Sequence, residues 1–434
     1  MINSSFKQYT SYKDSGFDWL GKIPTHWEIR RLKEISKLII DGTHITPDYI
    51  DGGVHFLSIN DITRKPFDLA KSKFISSSAH QELSKRCLPK KGDILLSKNG
   101  TIGVPFLIDF DDEVSIYVSL CLIRLKVKSN SRYAYYSFLA TFMFEQYNLH
   151  SKMTSVTNLH LDKLRNFFQL LPPPDEQQAI AEYLDAKVTQ IDRKIELLEQ
   201  KAEKYADLKQ SLINETVTRG LDKTVPMKDS EVKWIGQIPT HWEVKRIKDL
   251  FVQSKNKVGS KSNLFKVLSL TQNGVIERDI ENGKGKFPAT FDGYQIVVPD
   301  SILLCLFDMD VTPRIIGYVD QIGLATSAYT SIVGSKDIFS KYYYYYFLNQ
   351  DRNKSLLANG KGLRSTLTFD NFGLLRIPFP PLEEQKAIAE YLEVKTVQIE
   401  KIIETINLEV EKLEELRKTL INDVVTGKIK VYEG

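Results

Sequence analysis

The sequence is poor in cysteine and has no long apolar run. Its 434 residues include three cysteines, Cys87, Cys121 and Cys305, which lie far apart and each in or beside an apolar run. They are predicted to be small core residues of a reduced, cytosolic protein, because neither a disulfide framework nor a zinc site fits this spacing. No run of about 18 apolar residues is present, so neither a transmembrane helix nor a membrane partner is expected.

Motifs of catalytic and nucleotide-binding proteins are also missing. The sequence contains no G-x-x-x-x-G-K-[ST] phosphate loop and no G-x-G-x-x-G dinucleotide fingerprint. The proline clusters at 172–174 and 380–381 do not form the Asp/Asn-Pro-Pro-aromatic segment that an amino-methyltransferase needs. His26 and His241 lack a partner at metal-ligand spacing, so packing or capping is predicted for them. A nuclease or methyltransferase acting alone is therefore the least favoured interpretation.

What the sequence does contain is an internal repeat. The block WLGKIPTHWE at Trp19–Glu28 returns as WIGQIPTHWE at Trp234–Glu243, 215 positions later. The block EQQAIAEYL at Glu176–Leu184 returns as EQKAIAEYL at Glu384–Leu392, 208 positions later. The chain is therefore two copies of one unit. The first copy is seven residues longer, mostly before Ile94.

The part of each copy between the two repeated blocks, here called the variable region, is basic. Between Glu28 and Leu170 there are 20 Lys and Arg against 15 Asp and Glu, and between Glu243 and Pro378 there are 18 against 13. Each variable region thus carries +5, although the whole chain carries +4. Two separate basic regions suggest a polyanion held at two places, with ordinary surface charge as the alternative.

Short β-rich runs cut by turn residues predict a mixed α/β structure for each variable region. The tyrosine run Tyr342–Tyr346 resembles the Tyr/Phe/Leu-rich segment Arg132–Leu139 of the first copy. A buried aromatic face is therefore predicted for this run, in preference to a platform on which bases stack.

A long helix with a coiled-coil pattern follows each variable region. The proline clusters set an extended entry, and acids such as Glu176 and Glu384 then occupy a first helical turn, where the helix dipole favours them. About 40 residues at 1.5 Å each make a rod of roughly 60 Å. Neither helix can bury its apolar stripe alone, so the two are predicted to pack antiparallel. The predicted seam residues are Val188, Ile191, Ile195, Leu198, Ala202, Tyr205, Leu212, Thr396, Ile399, Ile403, Ile406, Val410, Leu413 and Leu420, with Lys209 and Arg417 at the skipped polar step.

These features together resemble the DNA-specificity (S) subunit of Type I restriction–modification systems. The likeness rests on the ordered Trp-x-Gly-x-Ile-Pro-Thr-His-Trp and Pro-Pro-x-x-Glu-Gln-x-x-Ala-Ile-Ala-Glu-Tyr-Leu blocks, each present twice, and it extends from about Asp14 to Lys430. It implies an α/β (α+β) fold with a pseudo-twofold internal repeat, in which two mixed α/β target recognition domains are joined by two long helices packed as an antiparallel coiled coil. The expected segments are recognition domain 1 at 1–170, a helical spacer at 171–222, recognition domain 2 at 223–378 and a second spacer at 379–434.

The resemblance also implies partners. Each recognition domain would read one half of an asymmetric bipartite site in double-stranded DNA, and the helices would set the spacing. Two methyltransferase (M) subunits would bind this chain and carry S-adenosylmethionine and the adenine-N6 chemistry. Restriction (R) subunits, which use ATP and Mg²⁺, would join to cut unmodified DNA. This chain itself would hold no cofactor and would catalyse nothing.

Loop residues with basic or amide side chains are the candidates for contact with DNA, because such groups bind base edges and phosphates. In the first copy the best loops are 41–44 and 97–101. The matching loop of the second copy, Phe307–Asp310, is acidic, and Asp308 either accepts a hydrogen bond from a cytosine amino group or is simply solvated. The candidates are Thr43, His44, Arg64, Lys98, Asn99, Thr101, Lys152, Gln272, Asn273, Arg314, Lys361 and Arg364.

The main alternative is a coiled-coil adaptor that binds only proteins. The two basic variable regions argue against it. DNA binding that is absent, or that does not respond to salt, would favour it.

Overall fold

Each variable region belongs to a different structural unit. The computed structural model describes residues 7–126, 128–150, 158–280, 288–312, 314–353, 355–356 and 366–433. Unit 1 comprises Met1–Leu198 and Leu408–Gly434, and unit 2 comprises Glu199–Asn407. Each unit thus contains one variable region and part of each long helix. This division differs from the four predicted segments, in which the helices are separate spacers.

The first copy is a mixture of short strands and helices followed by one long helix. The strands are β1 Tyr12–Asp14, β2 Lys22–Pro24, β3 Glu28–Arg31, β4 Ser36–Asp41, β5 Val54–Leu57, β6 Lys73–Ile75, β7 Ile94–Ser97, β8 Pro105–Leu107, β9 Val114–Ile116, β10 Leu120–Leu125 and β11 Phe168–Leu171. The helices are α1 Leu32–Ile35, α2 Ile59–Ile62, α3 Ser77–Ser84, α4 Ser131–Phe138, α5 Thr141–His150, α6 Leu161–Leu164 and the long α7 Pro174–Arg219. A 3₁₀ turn covers Leu69–Lys71.

The second copy has a similar order of elements. Its strands are β12 Met227–Asp229, β13 Gln237–Pro239, β14 Glu243–Arg246, β15 Phe251–Ser254, β16 Leu268–Thr271, β17 Gly274–Glu277, β18 Gln295–Val297, β19 Ile302–Leu304, β20 Ile316–Tyr318, β21 Gly323–Ala325, β22 Thr330–Gly334 and β23 Arg376–Phe379. Its helices are α8 Ile247–Leu250, α9 Ser340–Arg352, α10 Phe369–Gly373 and the long α11 Leu382–Val425. A 3₁₀ turn covers Gly259–Leu264.

Both units contain a four-stranded antiparallel sheet of the same topology. The strand order is β4-β10-β7-β8 in unit 1 and β15-β22-β19-β20 in unit 2. The apolar run of β7 does not alternate with polar residues because both of its faces are covered: Ile94 and Leu96 pack into one core cluster, and Leu95 packs into another. In β19, Ile302 and Leu304 likewise pack into one core cluster and Leu303 packs into another. The matched runs of the sequence are therefore the central strands.

The units differ in what they add to this sheet. In unit 1, β5 pairs with β6 and, in parallel, with β9, so a second sheet has the order β6-β5-β9. In unit 2 the corresponding part of the chain forms two separate strand pairs, β16-β17 and β18-β21. The framework is shared and these additions are not.

A glutamate at the start of each long helix binds the repeated Thr-His-Trp block. Glu176 Oε2 lies 2.8 Å from His26 Nε2, and Glu384 Oε2 lies 2.8 Å from His241 Nε2. Glu384 Oε2 also accepts a hydrogen bond from Trp242 Nε1 at 3.0 Å. The predicted packing role of the two histidines is therefore a contact with a helix start. The place of Glu176 in the first helical turn predicts only a favourable interaction with the helix dipole, but its side chain is almost fully buried.

The next residue of each block, a buried glutamine, ties the helix start to the variable region. Gln177 Oε1 accepts from Asn130 N, just before α4, and its Nε2 donates to Pro172 O. Gln385 makes the same pair of bonds, with Phe339 N and with the matching proline carbonyl. Each set of side chains is called a helix-start clasp. The clasps are His26, Glu176 and Gln177 in unit 1, and His241, Glu384 and Gln385 in unit 2.

Two glycines end the long helices against the clasps. Gly220 follows α7 and Gly427 follows α11, with φ of +77° and +74°, the left-handed conformation that glycine adopts at a helix end. A Cβ on Gly427 would lie 2.4 Å from Pro24 Cδ, and one on Gly220 would lie 2.7 Å from Glu384 Oε1. Each clasp therefore gathers the start of one long helix and the end of the other.

The long helices run antiparallel within each unit. In unit 1 Asp192 pairs with Arg417, and Lys194, further along α7, pairs with an earlier residue of α11, Glu409, at 2.7 Å. In unit 2 the matching pair joins Lys209 to Glu400. Lys209 and Arg417, at the skipped polar step, thus each bind a carboxylate of the other long helix. The Lys209–Glu400 and Arg417–Asp192 pairs occupy matching positions of the repeat. All fourteen predicted seam residues are buried or half-buried.

The tyrosine run lies inside unit 2. Tyr342, Tyr343 and Tyr346 of α9 are fully buried in its main core cluster, together with the central strand β19. Burial raises the pKa of Tyr345 to about 12. These rings form a core face and are not available for stacking on bases. Cys87, Cys121 and Cys305 are buried free thiols.

Replacing Gln177 with Ala is expected to lower the free energy of unfolding of unit 1 by about 3 kcal/mol, because two buried backbone groups lose their partner. Native-state hydrogen exchange of the α4 amides measures the change. Gln190→Ala, an exposed glutamine of the same helix, is the control and should leave exchange unchanged. Equal effects of the two substitutions would contradict the clasp.

The seam makes a second prediction. Ile399 is 7% exposed and its neighbour Val397 is 42% exposed. Ile399→Ala should destabilise α11 by about 2 kcal/mol through lost burial and the cavity left behind, whereas Val397→Ala should change stability by less than about 0.5 kcal/mol. Exchange rates of α11 amides distinguish the two, and a larger effect at Val397 would show that the seam is assigned to the wrong face.

Candidate nucleic-acid interface

Several of the candidate residues of unit 1 meet at one end of the central sheet. Strand β10 is antiparallel to both β4 and β7, so the ends of β4 and β7 lie beside the start of β10. The loops 42–53 and 98–104 follow the first two strands, and the loop 117–119 precedes the third. Val118 N donates to Thr43 O at 2.9 Å across this edge. The edge formed by these three loops is called the loop edge of unit 1.

Thr43, His44 and Thr101 are at the loop edge. Thr43 Oγ1 accepts from Ile45 N at 3.1 Å, which fixes the turn that follows β4. The exposed His44 has its Nε2 3.8 Å from Asp41 Oδ2. Thr101 is exposed, and its carbonyl is held by a hydrogen bond from the Ser97 hydroxyl. These side chains can therefore reach a ligand from ordered backbone.

Lys98 and Asn99 are placed differently from the expectation of exposed loop groups. Lys98 Nζ lies 3.2 Å from Asp41 Oδ2, and the two side chains are 7% and 11% exposed. Asn99 is half-buried, and its Oδ1 has no hydrogen-bond partner among the residues that the structure describes. Lys98 is consequently an internal cation that neutralises a carboxylate of β4, and it does not face a polyanion.

One other candidate of unit 1, Arg64, lies outside the loop edge. Arg64 is exposed just after α2, with its Nη1 3.4 Å from Lys71 O, and it is not part of the three loops of the edge. Lys152, Lys361 and Arg364 lie outside the residues that the structure describes.

A small pocket lies beside the loop edge of unit 1. It has a volume of about 240 Å³ and is lined by residues that include Thr43, Arg86 and Cys87. Burial raises the pKa of the Cys87 thiol to about 11, so the thiol is neutral at physiological pH and a poor nucleophile. Within the described ranges, no group of three or more His, Cys, Asp or Glu side chains could hold a metal ion, and no helix is long and apolar enough to cross a membrane.

Unit 2 forms the same edge from different residues. The loops 255–261 and 305–315 follow β15 and β19, and the loop 326–329 precedes β22, which pairs with both strands. Gln272 and Asn273 form the exposed turn of the β16-β17 hairpin.

Two residues of this edge have roles in the fold. Arg314 holds the hairpin to α9, because its Nη1 donates to Gln272 O at 3.0 Å and its Nη2 to the Tyr344 hydroxyl at 2.6 Å. Asp308 is half-buried at φ +49°, and its carbonyl accepts from Thr312 N at 2.9 Å. Arg314 is therefore part of the fold and not a solvated cation.

Sequence reasoning missed two features of these edges. Lys255, Lys257 and Lys261 follow β15 and are all exposed, and no carboxylate in the described part of the chain pairs with any of them. Three lysines within seven residues of the basic variable region were the available signal. In unit 1, Ile45 is 79% exposed in the turn held by Thr43, and no pattern in the sequence marks this apolar residue as exposed.

Comparison with known proteins explains this arrangement. The family model described as Type I restriction modification DNA specificity domain matches residues 24–204 and again 239–412. The chain belongs to this family. Both copies of the repeat are matched, so the chain carries two DNA specificity domains, and its role in a Type I system is DNA recognition.

Similar proteins cover nearly the whole chain. The type I restriction enzyme MjaVIII specificity subunit of Methanocaldococcus jannaschii is 27% identical over 451 aligned residues, which cover 97% of each chain. A chain from work on the "complex assembly and conformational transition of the type I R-M system" has a TM-score of 0.69 at 15% identity and covers 94% of this chain and 99% of its own length. The HsdS subunit from Thermoanaerobacter tengcongensis has a TM-score of 0.50, also at 15% identity, over 96% of this chain and all of its own. At these identities the solved structures show a shared fold.

Proposed function

We propose that each unit of this specificity protein reads one half of an asymmetric bipartite DNA site, and that the chain directs the methyltransferase and restriction subunits of a Type I complex to that site. One observation carries the proposal. The two units share a framework, and their loop edges present different side chains.

The unlike edges support an asymmetric site. Unit 1 offers the exposed hydrogen-bonding groups of His44 and Thr101 and the half-buried hydroxyl of Thr43, next to the apolar Ile45. Hydroxyl and imidazole groups bind base edges, and an apolar side chain can contact the methyl group of thymine. Unit 2 offers the amide-bearing turn Gln272-Asn273 instead. Two surfaces of different chemistry would select two different half-sites.

Phosphate contacts are the proposed role of the lysines after β15. Lys255, Lys257 and Lys261 are exposed cations without carboxylate partners among the described residues, and such groups fix a protein on the duplex without reading sequence. In unit 1 the position that corresponds to Lys255 is occupied by Asp41. The units would therefore differ in how much they contribute to affinity.

The long helices are the proposed docking surface and spacer. α7 is continuous over 46 residues, and outside the seam both helices expose apolar residues. These are Leu197 and Leu408 in unit 1, and Leu208, Val394, Val397 and Ile402 in unit 2. Exposed apolar groups on a helix favour a protein partner. Two methyltransferase subunits, which would supply S-adenosylmethionine, fit the repeated framework, and restriction subunits would join them.

Methylation mapping tests the proposal directly. The chain is produced with its methyltransferase partner in a host that lacks other adenine methylation, and modified adenines are mapped by single-molecule sequencing. A split, asymmetric motif is expected. Exchanging residues 28–170 for the matching region of another family member should change one half of the motif only.

The control is the same host with the methyltransferase subunit alone. Methylation that does not depend on this chain would contradict the proposal, as would a change in both halves after the exchange. Binding of the assembled complex to protein partners without any DNA preference would favour the adaptor interpretation.

Lys257→Ala should weaken DNA binding by the assembled complex almost equally for all sequences. The slope of log affinity against log salt concentration should fall by about 1, because one phosphate contact is lost. Fluorescence anisotropy at several salt concentrations measures the slope. Lys228→Ala, which removes an exposed lysine from the framework strand β12, is the matched control and should leave the slope unchanged.

A further inference from the structure

Lys98 joins three separate segments of unit 1. Its side chain binds Asp41 at the end of β4, its amide donates to Ser119 O at 2.9 Å, and its carbonyl accepts from Leu159 N at 2.8 Å. It is also the first residue of the loop that presents Thr101. Lys98 therefore contributes to the relative position of the loops at this edge, together with the backbone bond from Val118 N to Thr43 O.

Holding these loops with the buried ion pair of Lys98 and Asp41 costs free energy. Burying two charges costs desolvation free energy, and replacing such a pair with apolar residues is often neutral or stabilising. Asp41 Oδ1 is in addition buried without a hydrogen-bond partner. Stability of the fold alone does not explain why the pair is present.

The second copy shows that the framework does not need the pair. By strand register, Lys98 corresponds to Leu306 and Asp41 corresponds to Lys255. Leu306 is buried, and its carbonyl still accepts a hydrogen bond from Leu367 N at 2.8 Å. The backbone contact is thus common to both units, and the ion pair is specific to unit 1.

We propose that the Asp41–Lys98 ion pair is a positioning device that determines base preference in the half-site read by unit 1 without contacting DNA. This inference rests on the proposed function. The pair holds the turn of Thr43 and His44 in a defined position relative to Thr101. His44 shares the same carboxylate, since its Nε2 lies 3.8 Å from Asp41 Oδ2. Without the pair, the two groups of side chains can shift relative to each other and accept other bases.

The test replaces both charges with neutral groups of similar size, Asp41→Asn together with Lys98→Met. The full complex is assembled with this chain and its methylation motif is mapped, while thermal melting of the purified chain reports folding. The melting temperature should stay close to the wild-type value. Discrimination at one or more positions of the unit 1 half-site should fall by roughly tenfold, the lower end of what one well-placed base contact supplies. The other half-site should not change.

Lys255→Met in unit 2 is the matched control, because it removes a charge at the position that corresponds to Asp41. It should weaken binding and leave base preference in both half-sites as in the wild type. A purely structural role of the ion pair would lower the melting temperature and the amount of methylation, without altering which bases are accepted.

A folded double variant that keeps the wild-type preference overturns the inference, and so does an equal loss of preference in both half-sites. If the double variant does not fold, Asp41→Asn alone decides. It keeps the size of the side chain but removes the ion pair, so an unchanged preference in unit 1 would also overturn the inference. A wild-type complex without any sequence preference would instead refute the proposed function, so the two failures are distinguishable.

Discussion

The carboxylates of Glu176 and Glu384 are the contacts on which the rest of each unit depends. Each lies in the first turn of a long helix and binds the histidine of a Thr-His-Trp block more than a hundred residues earlier. The adjacent glutamine, Gln177 or Gln385, accepts a hydrogen bond from the backbone amide just before a helix of the same unit, α4 or α9. Glu176 also accepts a hydrogen bond from the Tyr9 hydroxyl, and burial, together with this bond, raises the pKa of Tyr9. Buried polar groups must be satisfied, so these bonds fix where the helix begins relative to the sheet.

This constraint separates framework from reading surface. The four-stranded sheets have the same topology because β7 and β19 are covered on both faces, and covered strands tolerate only apolar residues of suitable volume. The loops at the end of the same sheets have no such restriction and are free to differ. A chain that must read two different half-sites with one kind of scaffold can therefore vary at the loop edge, at little cost to folding.

Much of this architecture could be predicted from sequence, because it depends on local pattern. The repeat located the two units, and the proline clusters located the helix starts. The alternating spacing of three and four residues between apolar side chains predicted two helices packed antiparallel. Lys209 and Arg417, at the polar steps of this pattern, form ion pairs between the helices. The match of Tyr342–Tyr346 to an apolar segment predicted a buried face, and α9 buries it. The candidate interface was harder to predict. The loop positions of Lys98 and Arg314 predict cations that can reach DNA, but Lys98 is buried against Asp41 and Arg314 links a hairpin to a helix.

The architecture could be predicted better than the interface for a physical reason. Periodicity and repetition report which residues must be apolar, and burial of apolar surface depends little on which distant residue supplies it. The sequence by itself therefore determined two similar units, two long helices and the family to which the chain belongs. Whether a lysine binds a phosphate or a buried carboxylate depends on which residue lies opposite it across the sheet, and only the tertiary structure places Asp41 beside Lys98 and leaves Lys255, Lys257 and Lys261 exposed.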